Sequence, residues 1–147
     1  MEIKIREAEE GDLPQILNLY TQPDMNDGKA LSLESAKKLL NKLKIYPEYK
    51  IFVGMHENKI VGSFSLLIMD NLVHGGTPSG IVEAVVVDPK YHGVGIGKKM
   101  MRFAMERCRE FGCYKLVLSA HMMRDKAHQF YERLGFDRHG YSFLIHF

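Results

Sequence analysis

The stretch that constrains the fold most is "IVEAVVVDPKYHGVGIGKKMM", residues 81–101. Its first seven residues are apolar on both alternating faces except for one carboxylate, Glu83. That pattern predicts a strand covered on both sides of a sheet. Ile96, Met100, Ala104, Cys108 and Phe111 then recur at helical spacing and predict an amphipathic helix over 95–111. Gly93, Gly95 and Gly97 crowd into five residues at the mouth of that helix. Glycine inside a helix costs about 1 kcal/mol relative to alanine, so an accidental run of glycines competes poorly with a function for them.

Two phosphate-binding patterns fail here. A P-loop would need a glycine at position 92 and a hydroxyl residue at 99, where His92 and Lys99 stand. The dinucleotide fingerprint fails at its third glycine, where Lys98 stands, and five residues separate the loop from the strand. What survives is a glycine loop opening a helix. The amides of Val94, Gly95, Ile96, Gly97 and Lys98 lack intrahelical partners and point outward at the positive end of the helix dipole. A phosphate can approach such a backbone closely.

The remaining periodicities predict the order βααβββαβαβ, an α/β (α+β) single domain over residues 1–147. "IKIREA" alternates as a strand. Asp12 is the expected cap of a helix with Pro14 in its first turn, and Ser32 caps a second helix over "SLESAKKLLNKLK". "YKIFVGMH" and "KIVGSFSLLIM" flank Glu57-Asn58 as a hairpin. "YKLVLS" reads as a strand, "RDKAHQFYERL" as a helix stopped by Gly135, and "YSFLIHF" as a closing strand. The chain is 46% apolar and 26% charged, which supports a packed core rather than disorder.

"VVVDPKYHGVGIGKKMM" resembles the acetyl-coenzyme A binding motif of the GNAT N-acetyltransferases, Arg/Gln-x-x-Gly-x-Gly/Ala after a strand ending in Val-Asp-Pro. "AHQFYERLGF" resembles the second motif of that family, and the order and separation of the two also match. The resemblance implies a mixed central sheet of six to seven strands flanked by about four helices, splayed at the cofactor strand. It implies that Val85, Val86 and Val87 pair their backbone with the pantetheine arm, and that residues 93–98 cradle the pyrophosphate. Tyr131 would lie near the thioester sulfur as a proton donor. His92 replaces the usual Arg or Gln at the head of the loop. Arg124 stands where many members carry an Asn that touches the cofactor, and it could meet a phosphate of the cofactor or an anionic group of the acceptor. The activity implied is acetyl transfer from acetyl-CoA to a primary amine of a small molecule. A protein N-terminus or lysine is the alternative acceptor, and a CoA-binding module without turnover is the non-enzymatic one.

The chemistry asks for a base, because an alkylammonium with a pKa of about 10 must lose a proton before it attacks. Glu83 is the candidate, acting through a water. Burial in its apolar run would raise its pKa toward a useful value, and the competing reading is a carboxylate facing solvent. A core tyrosine is the competing reading of Tyr131. His74 and His121 are alternative bases or acceptor contacts. The histidines lack helical zinc-pair spacing, so no metal is expected. Asp24 and Asp27 could attract an ammonium group. A net charge of +2 argues against a dedicated nucleic-acid binder. The charged N-terminus predicts no secretory leader, and no apolar run is long enough for a bilayer. Cys108 and Cys113 form no disulfide framework, which suits the reducing cytoplasm. "YSFLIHF" is apolar enough to pair with a second subunit, so a homodimer is expected.

Overall fold

Four consecutive sequence segments close antiparallel ladders, and a fifth joins them by a crossover. In the computed structural model, which describes residues 1–147 except Asp27 and the side chain of Asn26, these are β1 (Lys4–Glu7), β2 (Tyr49–His56), β3 (Lys59–Met69), β4 (Ser79–Val87) and β5 (Lys115–Val117). The sheet order is β1-β2-β3-β4-β5, with only the β4–β5 pair parallel. The helices are α1 (Leu13–Leu19), α2 (Pro23–Asn26), α3 (Leu33–Leu43), α4 (Ile96–Glu110) and α5 (Asp125–Arg133). The chain divides into two compact units, Met1–Val117 and Leu118–Phe147. The acidic pair expected to attract an ammonium is half accounted for: Asp24 lies exposed in α2, and Asp27 lies outside the described residues.

In the first unit the sheet is covered on both faces, as the two-sided apolarity of its strands requires. Phe52 stacks on Phe64 at 5.3 Å, and Phe103 of α4 packs against both. The opposite face buries Ile16 and Leu19 of α1 with Val53, Ile60 and Val86. Helix α4 lies very close to the strands. A Cβ on Gly62 would stand 2.9 Å from Met100 Sδ, and one on Gly80 would stand 2.6 Å from Cys108 Sγ. A side chain at either place would push Met100 or Cys108 aside, so the two glycines let α4 approach β3 and β4 this closely.

Both long helices of the second half end alike. Gly112 N donates to Arg109 O and Cys113 N to Cys108 O. Gly135 N donates to Glu132 O and Phe136 N to Tyr131 O. Each is a Schellman closure around a glycine with positive φ. In α5 the accompanying apolar contact is Tyr131 against Phe136, with ring centroids 5.8 Å apart. Much of the spacing in "FYERLGF" is therefore the spacing of a helix cap.

The structure corrects four expectations. Among the described residues the sheet has five strands, not six to seven, and a short extra helix, α2, makes five α-helices. Residues 141–147 form no strand: β propensity orders a segment only where an adjacent edge takes up its backbone groups. "YKLVLS" shortens to the three residues of β5. Asp12 does not cap α1 with its side chain. Its carboxylate instead accepts from Arg6 at 2.6 and 2.9 Å and from Glu9 N at 2.7 Å, because a charged partner within reach outcompetes a lone amide. Ser32 does cap α3, accepting from Ser35 N at 3.2 Å.

Candidate active site

The site in the first unit is built on an irregularity in β4. Ser65 faces Glu83 and Ser63 faces Val86, so Ala84 and Val85 together stand opposite Phe64. This is a β-bulge, and Ala84 carries a φ of +52°. A non-glycine residue in that region costs about 1–2 kcal/mol. Below the bulge, β4 pairs with β5 at Ser79, Gly80 and Ile81. Beyond Ile81 that pairing stops, which leaves one edge of β4 unpaired among the described residues through Val85, Val86 and Val87. An extended chain can add to such an edge by backbone hydrogen bonds.

At the end of β4, Asp88 caps a 3-10 turn, accepting from Lys90 N at 3.0 Å and from Lys59 Nζ at 3.0 Å. These bonds hold its carboxyl below the usual range. Val87 O accepts from Gln22 Nε2 at 3.1 Å, and His92 Nε2 lies at the same distance. With the proton on Nε2, His92 donates to Val87 and ties the loop to the strand. Gly93 and Gly95 then take φ of +77° and +90°, a region that favours glycine. Gly95 is the N-cap of α4 and has no side chain to offer its amides. Among the described residues, no amide of residues 93–98 donates to a protein acceptor. A Cβ on Gly93 or Gly95 would meet nothing within 4 Å, so the space over the loop is open. Gly97 lies in the first turn of α4. Ile96 is buried, Val94 and Lys98 are exposed, and Lys99 Nζ donates to Met1 O at 2.7 Å.

Glu83 is exposed on β4, so of the two readings the strand pattern left open, the carboxylate facing solvent is the one the structure adopts. On the same face, Ser65 is its cross-strand partner. Tyr20 lies over Ser63, and burial pushes its phenol up while the Ser63 hydroxyl opposes that shift. Gln22, Tyr20 and the Ala84 bulge are the contributors that a single sequence hides. None of them sits in a motif, and each acts through a neighbour distant in the chain. A cleft of about 530 Å³ opens elsewhere, against Glu7, Leu40, Tyr46, Tyr49 and Ile51, and holds none of the residues singled out above.

In the second unit, α5 carries Tyr131 and is preceded at its N-cap position by Arg124, which is exposed. Tyr131 packs edge-on against Phe130 at 5.1 Å. Burial pushes its phenol above the ordinary tyrosine value, and the Arg124 charge partly opposes this. A phenol so shifted keeps its proton through neutral pH. His121 Nδ1 accepts from Met123 N at 3.1 Å, and the His128 ring meets His121 O at 2.8 Å, so both imidazoles brace the turn before α5. His74 stacks on Tyr114 with centroids 4.1 Å apart, next to the start of β4 and away from the glycine loop at its end. Among the described residues no three His, Cys, Asp or Glu side chains converge as a metal site.

The geometry is thus an open strand edge running into a loop of free amides. The acetyltransferase (GNAT) family model matches residues 13–136. The chain belongs to the GNAT acetyltransferase family. A glucosamine 6-phosphate N-acetyltransferase of Trypanosoma brucei brucei is 35% identical over 140 residues, covering 95% of this chain and 92% of that protein. A putative acetyltransferase from Agrobacterium tumefaciens superimposes with a TM-score of 0.91 at 31% identity, over 97% and 99% of the two chains. The glucosamine-6-phosphate N-acetyltransferase of Arabidopsis thaliana gives 0.88 at 26% identity, over 100% and 99%. The GNAT protein described here is an N-acetyltransferase that uses acetyl-CoA as co-substrate and an amine as acceptor. The amides over Gly93 and Gly95 fit a pyrophosphate, since the cradle is open and uncapped. Among the described residues, no helix is long and apolar enough to cross a membrane.

Proposed function

We propose that the acceptor is a small phosphorylated primary amine of the amino-sugar phosphate class, with glucosamine 6-phosphate as the leading member. The observation that carries this reading is the likeness to the trypanosomal glucosamine 6-phosphate enzyme over nearly the full length of both chains. Exposed Arg124 supports it, because a guanidinium is suited to bidentate phosphate recognition. In this reading Val85, Val86 and Val87 bind the pantetheine arm, and residues 93–98 bind the pyrophosphate with His92 and Lys98 beside them. Glu83 accepts the ammonium proton through a water. The neutral amine attacks the thioester carbonyl: the C–N bond forms, the C–S bond breaks, Tyr131 gives its proton to the departing thiolate, and the proton shed by the new amide nitrogen restores the phenol. The raised phenol of Tyr131 supports that assignment. The solvent-facing Glu83 suits a water-mediated role better than a buried one.

The family match running through both compact units supports their working as one acetyltransferase domain over residues 1–147. Two free thiols, Cys108 and Cys113, support a reducing, cytoplasmic location. The apolar segment 141–147 supports a homodimer.

The test is CoA release with glucosamine 6-phosphate, glucosamine, simple alkylamines and lysine-containing or free-N-terminal peptides as acceptors. We expect kcat/KM for glucosamine 6-phosphate to exceed that for glucosamine by about a hundredfold, in line with a charged contact of 2–3 kcal/mol. Equal turnover of the two sugars would remove the phosphate from the reading. Preference for a peptide would replace it.

A further inference from the structure

We infer that Cys108 and Cys113 are an oxidation site: hydrogen peroxide converts the two thiols into a reversible disulfide that ties the end of α4 to the segment leading into β5. Every group involved lies in the first compact unit, and the inference is independent of the acceptor reading above.

The backbone makes the pair. Cys113 N donates to Cys108 O at 2.9 Å and Gly112 N to Arg109 O at 3.0 Å, the double closure of a Schellman cap. In such a cap the residues at the two ends of the wider closure bring their side chains together. The cap of α5 does so, with Tyr131 and Phe136 in ring contact at the same two positions. Helix α4 puts two thiols there. Peptide geometry and the 2.9 Å bond hold the Cα atoms of Cys108 and Cys113 to at most about 6.8 Å, inside the span of a disulfide. The thiols themselves meet, with Cys108 Sγ–H donating to Cys113 Sγ.

Packing accounts for only one of them. Cys108 is 5% exposed, and a Cβ on Gly80 would stand 2.6 Å from its sulfur, so the space over β4 asks for a small residue at 108. Cys113 is half-buried, where any apolar side chain serves the capping contact. The difference in burial sets the order of events. Burial pushes both thiols up, Cys108 to about 12, and the hydrogen bond from Cys108 opposes the shift at Cys113. Cys113 is the sulfur an oxidant reaches, and Cys108 is the resolving thiol beside it.

In the first step the Cys113 sulfur attacks one peroxide oxygen. The S–O bond forms, the O–O bond breaks, and the thiol proton leaves with the other oxygen as water. The Cys108 sulfur then attacks the sulfenic sulfur. The S–S bond forms, the S–O bond breaks, and the Cys108 proton departs with the hydroxide as a second water. The two thiols have lost two electrons to the peroxide, and a dithiol returns them by exchange. Resolution by Cys108 also keeps Cys113 from the irreversible sulfinic acid.

The experiment treats the reduced full chain with hydrogen peroxide at neutral pH and follows it by mass spectrometry. Trypsin cuts after Arg109, between the two cysteines, so a disulfide alone joins the flanking peptides. We expect a monomer two hydrogen atoms lighter, a joined peptide pair, and recovery of both thiols in dithiothreitol. Cys113→Ala should slow the loss of the Cys108 thiol at least tenfold, because the buried sulfur then faces the oxidant alone. Oxygen added to Cys113 in the wild type with the peptides still separate overturns the inference, and so does a disulfide joining two chains. Thiols that outlast the oxidation of exposed Met122 and Met123 overturn it as well. Equal loss of the Cys108 thiol in wild type and Cys113→Ala overturns the order of attack. The wild-type peptide linkage needs no variant to fold.

Discussion

The glycine loop at residues 93–98 and the tail at residues 141–147 announce themselves about equally loudly in the sequence, yet only the loop takes the form its sequence predicts. The loop's requirements are met within a few residues. Gly93 and Gly95 reach positive φ, His92 ties back to Val87, and α4 supplies the dipole. The tail's requirement is a neighbouring strand, which local sequence cannot supply. Turns and caps are closed by short-range bonds; a strand satisfies its backbone only through another chain segment.

That contrast can be attacked from both ends. The largest effect belongs to the loop. Gly95→Val forces a branched side chain into a φ of +90° and into the open cradle. Calorimetry should show CoA binding weakened about a hundredfold, from strain of a few kcal/mol. Unchanged affinity would mean that the loop is a turn and nothing more. Next, Tyr131→Phe keeps the ring contact with Phe136 that closes α5 but removes the proton. We expect kcat to fall by about ten- to a hundredfold with KM nearly unchanged. Since the phenol titrates above its ordinary value of 10.0, wild-type turnover should lose no Tyr131-dependent activity below that pH.

A smaller effect tests another locally closed unit. Asp12→Asn weakens the paired Arg6 contact and should lower stability by about 1.5–3 kcal/mol in urea unfolding at pH 7. Asp12 has a folded pKa depressed below 3.8 by Arg6. Its contribution is therefore complete above the unfolded value and fades as pH falls through the folded one. The gap between wild type and variant should narrow in acid below that point; a constant gap would show that the ion pair is not its source. Gly135→Ala, at a φ of +98°, should cost about 1 kcal/mol and loosen the end of α5. The smallest effect should come from the tail. Phe143→Ser/Ile145→Ser should change unfolding free energy by under about 0.5 kcal/mol, because side chains this exposed stabilise nothing in the single chain. A larger loss there would show the tail packing on its own subunit.

Much of the fold was legible because its signals are local or periodic. β2 and β3 match their sequence segments residue for residue, Ser32 caps α3 as expected, and α4 opens at Gly95 and closes at Gly112. The loop half of the site was legible for the same reason. The bulge at Ala84 was not, because nothing in "IVEAVVV" marks a residue that must turn to positive φ; the mismatch of β4 with β3 produces it. Gln22 gave no signal either, since its partner lies 65 residues away. Whether Glu83 is buried or faces solvent could not be read from its apolar run, because its exposure depends on which edge and face of β4 remain uncovered.

By itself, then, the amino-acid order determined most of the periodic elements, the cap of α3 and the glycine loop that opens α4, along with the family to which they belong. These depend on backbone conformations and hydrogen bonds that span a turn or two of chain. Only the tertiary structure decided where β4 parts from β5, which carboxylate ends in solvent, and that residues 141–147 form no strand. Each of those outcomes depends on what another segment does with its edge or face, and that information is not carried by the segment on which it acts.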